Sequence, residues 1–127
     1  MSDSHSIRAW GADDYLSLEG APAAYSTALF VLFEGRQSVV TEAVCRNPDG
    51  ISPIREIVVL PTDGPVKIRV DSGRASIMGG AQELIELKEF MRSQLGAGRG
   101  NHWEILRVFD DLYWWIDRKT HIDMVVV

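Results

Sequence analysis

A chain of 127 residues fits one domain with a proper core, and 46% hydrophobic with 24% charged residues is the composition of an ordinary folded protein. A formal charge of −5 argues against nucleic acid as a partner, because phosphate backbones are gripped by clustered Lys and Arg. The longest apolar run, "ALFVLF" at residues 28–33, falls far short of a membrane span, and a single cysteine, Cys45, excludes an intrachain disulfide or a cysteine-built metal cluster.

Residues 1–6 are small and polar and read as a frayed, disordered start. They lack the basic region and long apolar core of a secretory signal, so the expected location is cytoplasmic. "DYLSLEG" alternates Leu16 and Leu18 with Tyr15 and Ser17, a short strand closed by Gly20. In the next stretch Ala21, Ala23 and Ala24 are helix formers around Pro22. "TALFVLF" and "SVVTEAVC" then flank a Glu34-Gly35-Arg36 turn, and this pattern predicts a hairpin. Asn-Pro, Asp-Gly and Ser-Pro mark residues 46–53 as a loop.

"EIVVL", the turn "PTDGP", "VKIRVD" and "RASIM" follow. Val66, Ile68 and Val70 alternate with Lys67, Arg69 and Asp71, so residues 56–78 predict a three-stranded antiparallel meander returning at Ser72-Gly73. A helix is expected over Ala81–Leu95, where Leu84, Leu87, Met91 and Leu95 form a stripe that Ile85 and Phe90 widen. Glu83 near its start and Arg92 near its end suit the helix dipole, and "GAGRGN" stops it. "HWEIL" and "HIDMVVV" read as strands, while residues 107–120 leave helix, hairpin and ordered loop open. The sum is an α+β fold in one domain, residues 1–127. It comprises an antiparallel β-sheet of about five to seven strands with one main helix packed on one face.

Three features bear on chemistry. Gly79-Gly80 resembles a phosphate-binding turn only superficially: no Lys-Ser/Thr follows, and the helix start carries glutamates where an anion would sit. A steric corner from strand to helix explains the pair. His102 with Glu104, and His121 with Asp123, lie two apart on strands, which puts each pair on one face. If those strands were neighbours, four potential ligands could converge, which would suit zinc or another transition metal, although the P-C-x-x-C partner of the zinc deaminases is absent. The plainer interpretation is a solvated sheet face, so no catalytic residue, metal ligand or cofactor is assigned. Finally, "FDDLYWWID" mixes aromatics with acid. Adjacent Trp114 and Trp115 cannot both point into one core from a strand, and on a helix they diverge by about 100°, so one is expected to fill the core while the other covers an edge or meets a partner.

The second half resembles small bacterial immunity proteins of polymorphic and contact-dependent toxin systems, over about residues 66–127. The features are "ASIMGG", a helix with Leu84 and Leu87, "GAGRGN", His102 in "NHWEIL", and the late strand "HIDMVVV". Residues 15–60 and the "FDDLYWW" insertion lie outside the family pattern. The resemblance implies a non-catalytic protein that neutralises a cognate toxin in the cytoplasm. An acidic chain suits a basic toxin domain, and Asp110, Asp111, Tyr113, Trp114 and Trp115 are the expected contact residues. No nucleic acid or membrane partner is expected. The alternatives are a small metal-dependent or acid–base enzyme using His102, Glu104, His121 and Asp123, and an assembly subunit pairing through an open strand edge such as "MVVV".

Overall fold

The computed structural model describes residues 7–35, 39–41, 51–96, 100–106 and 114–127. The chain is α+β, and its strands divide between two sheets. The first has five strands in the order β4 (Ser52–Pro53), β1 (Arg8–Ala12), β2 (Tyr15–Gly20), β9 (His121–Val126) and β8 (Asn101–Leu106). The second has four, in the order β3 (Val39–Val40), β5 (Glu56–Pro61), β7 (Arg74–Gly79) and β6 (Lys67–Asp71). Most pairs are antiparallel as expected, but β2 runs parallel to β9 and β5 parallel to β7. A parallel pair needs a long crossover, and for β2 and β9 the intervening chain supplies it.

The three strands expected over residues 56–78 form, but not as an antiparallel meander: only β6 and β7 pair antiparallel, and β5 runs parallel to β7. The β6–β7 hairpin closes at Ser72-Gly73, where both residues are left-handed (φ 50° and 82°), the type I′ geometry favoured by tight hairpins. However, β7 lies between β5 and β6. The loop leaving β5 therefore crosses the end of β7. Thr62 N–H donates to Gly79 O at 2.8 Å, and Gly80 N–H donates to Gly64 O at 3.0 Å. Gly79 makes room for the crossing, because a Cβ there would lie 3.3 Å from Cα and Cγ2 of Val66.

The expected hairpin arm over residues 27–33 is helical instead. Ala21 precedes a short α1 (Pro22–Ala24), which continues as a π turn over Tyr25–Leu29 and a 3₁₀ turn over Phe30–Glu34. Pro22 stands at the first helical positions, where its missing N–H costs nothing. Thr27 turns its hydroxyl back onto Ala23 O at 2.7 Å, a bond available only on a helix. Only Thr27 and Val31 are β-branched between Pro22 and Glu34, so the apolar run carried little true strand preference. The returning arm survives as β3, which pairs with β5. Residues 42–50, with Cys45, lie outside the described residues.

The main helix, α2 (Ala81–Leu95), forms over the expected span and buries Leu84, Leu87 and Met91. Ile85 is 51% exposed, so the stripe is narrower than its sequence suggests. The helix lies against β7 and the 3₁₀ turn. Its Lys88 Nζ meets Glu34 Oε1 at 3.0 Å, and Arg92 stacks 5.6 Å over the Phe30 ring. Leu87 and Met91 share one buried cluster with Leu16 and Leu18 of β2, Ile57 of β5, Ile77 of β7 and Met124 of β9. The sheets meet where Val70 N–H donates to Asp13 O at 3.1 Å, above the hairpin joining β1 to β2.

Tyr25 is fully buried, and its hydroxyl donates to Val125 O at 2.7 Å, tying the helical segment to β9. Burial pushes its phenol well above the usual tyrosine range. Since β9 is hydrogen-bonded to β2 on one side and β8 on the other, "MVVV" is an interior strand and offers no open edge.

Candidate functional site

Register decides which side chains of the first sheet face solvent together. Glu104 of β8 stands opposite Asp123 of β9, and Tyr15 of β2 stands opposite His121. With two-residue alternation, Tyr15, Glu104, His121 and Asp123 share the outer face, while Leu16, Ile105, Ile122 and Met124 point into the core. The two histidine–acid pairs named from sequence are thus neighbours. His121 Nε2 lies 3.0 Å from Asp123 Oδ1 and 3.5 Å from Glu104 Oε1. His102 Nε2 lies 3.4 Å from Asp123 Oδ1. The Tyr15 hydroxyl donates to Asp123 Oδ2, and its ring meets His121 in a T-shaped contact with centroids 5.1 Å apart. Asp123 is the least exposed of the set, and His102 and Glu104 are open to water.

The acid–aromatic segment falls only partly within the described residues. Asp110, Asp111 and Tyr113 lie outside the described residues. The adjacent tryptophans separate: Trp115 is 5% exposed with its ring 5.8 Å from Phe90, whereas Trp114 is 48% exposed. The core takes Trp115 and leaves Trp114 half-exposed. Its turn is held firmly, since Val66 N–H donates to Trp115 O at 2.7 Å and Asp117 N–H donates to Val66 O at 2.8 Å.

A groove of about 580 Å³ opens between α2, the end of β5 and the 3₁₀ turn, lined by Leu32, Phe33, Val59, Leu60, Leu84 and Ile85. Leu60 is 45% exposed there. Sequence reading placed Ile85 in the core and so missed this surface. It also missed Tyr15 as part of the histidine–acid face. The polar phase of "DYLSLEG" marks Tyr15 as outward, but nothing local names β9 as its neighbour.

No model of a known protein family matches the chain, and no curated protein matches it. Among the described residues, no helix is long and apolar enough to cross a membrane.

Proposed function

We propose that this protein is a non-catalytic protein-binding module that neutralises a cognate bacterial toxin in the cytoplasm. The observation that carries the proposal is Trp114, a large aromatic side chain exposed on a turn whose neighbour is locked into the core. An anchor held this way loses little conformational freedom on binding, which is what makes tryptophan an effective hot spot. Asp110, Asp111 and Asp117 stand beside it in sequence, and the chain carries −5 overall, so the fitting partner is a basic toxin domain. The elements on which the immunity-protein resemblance rests support the same reading: β7 closing on Gly79, α2, β8 and β9 are all formed.

The test is binding to the toxin domain encoded beside this gene, followed by calorimetry. Trp114→Ala should weaken the complex by about 2 kcal/mol or more while leaving the thermal midpoint nearly unchanged. Replacing Asp110 and Asp111 together with Asn should mainly slow association, by a factor that shrinks as salt rises. A neighbouring gene that encodes no toxin, or a complex indifferent to Trp114→Ala, would overturn the proposal.

A further inference from the structure

The outer face of the β2–β9–β8 ladder carries a donor set separate from the Trp114 turn. One atom each from Glu104, His121 and Asp123 lies within 4.8 Å of the others. In a tetrahedral zinc site with bonds of about 2.0–2.1 Å, neighbouring donors stand about 3.3 Å apart. The His121–Asp123 and His121–Glu104 separations of 3.0 and 3.5 Å bracket that edge.

Two further features distinguish this cluster from scattered surface charge. All three residues sit on regular paired strands, Glu104 and Asp123 directly opposite and His121 two positions along, so the backbone fixes their spacing. Tyr15 holds two of them from behind: its hydroxyl binds the Asp123 oxygen that does not face His121, and its ring braces the imidazole. Outer-shell contacts of this kind orient metal ligands and tune their affinity. One imidazole with two carboxylates suits zinc, whereas magnesium and calcium prefer all-oxygen sites.

We propose that Glu104, His121 and Asp123 bind one zinc ion, in a three-ligand site oriented by Tyr15 whose fourth position is open to water. The ion would clamp β8 to β9. This inference does not depend on the toxin-binding proposal.

Tag-free full-length protein, stripped with chelator, is titrated with zinc sulfate by calorimetry. One equivalent should bind, and magnesium should not compete. His121→Ala and Asp123→Asn should each weaken binding at least ten-fold, and Tyr15→Phe, which removes no ligand, should weaken it about ten-fold. His5→Ala, the control for the remaining imidazole outside the described strands, should leave affinity unchanged. Cobalt in place of zinc should give the intense visible absorption of a four-coordinate ion. Should His121→Ala fail to fold, Glu104→Gln at its exposed side chain reads the same ligand set. Absence of zinc binding, or binding that survives Asp123→Asn and Glu104→Gln, would reduce the cluster to ion pairs and overturn the proposal.

Discussion

At the scale of single residues, two positions expose the cost of being inside. Burial keeps Tyr25 protonated to a pH well above that of a free tyrosine, with the nearby Glu19 carboxylate acting in the same direction. The unfolded chain loses that proton near pH 10, so above about pH 10 the unfolded state binds fewer protons and stability falls as pH rises. Below about pH 10 the contribution is constant. Urea midpoints followed into alkaline pH should therefore drop less steeply for Tyr25→Phe than for the parent. The variant should start about 1 kcal/mol lower because the bond to Val125 O is gone. Parallel declines would show that other groups cause the alkaline loss. Gly11 presents a steric case. A Cβ there would lie 2.5 Å from Tyr15 O and 3.1 Å from Val70 Cγ2, and the carbonyl belongs to a hairpin that cannot shift alone. Gly11→Ala should destabilise by about 1–3 kcal/mol in chemical denaturation, with an unchanged midpoint refuting the close contact.

Elements differ in how firmly their own sequence commits them. α2 has spacing, charge order and glycine punctuation all in agreement, and it forms over Ala81–Leu95 as expected. Its energetics are one-sided. Leu87 is fully buried, so Leu87→Ala should cost about 2–5 kcal/mol through the cavity it leaves. Ile85→Ala, at a half-exposed groove position, should stay within about 0.5 kcal/mol. Equal losses at the two sites, measured by thermal unfolding, would mean that the helix is rotated from this packing. The segment Pro22–Glu34 is the contrasting element. Its apolar residues suit either structure, and Pro22 is compatible with both a strand start and a first helical turn. The decision comes from Tyr25 reaching β9 and from the packing of Phe30 and Leu32 in the shared core, contacts no local window contains.

For the molecule as a whole, β9 is the interior strand that links β2, near the start of the described chain, to β8, shortly before it. It buries Ile122, Met124 and Val126 in the common core. Removing residues 121–127 should therefore abolish cooperative unfolding altogether, since it leaves β2 and β8 without their shared partner. A truncated chain that still melts in one sharp calorimetric transition would contradict this topology.

Composition and periodicity alone determined the α+β class, the span of α2, the return of the chain at Ser72-Gly73, the glycine corner and the pairing of His102 with Glu104 and of His121 with Asp123 on common strand faces. These depend on neighbours a few residues apart, where backbone geometry and side-chain period act directly. Tertiary structure decided the division into two sheets, the parallel β2–β9 and β5–β7 pairs, the helical fate of Pro22–Glu34, the choice of Trp115 over Trp114 for the core, and the placing of Tyr15 behind Asp123. Each of those is a choice among distant partners with similar local fitness. A β-strand shows which residues face the same way but carries no label for the strand beside it, so that choice falls to burial of the whole core.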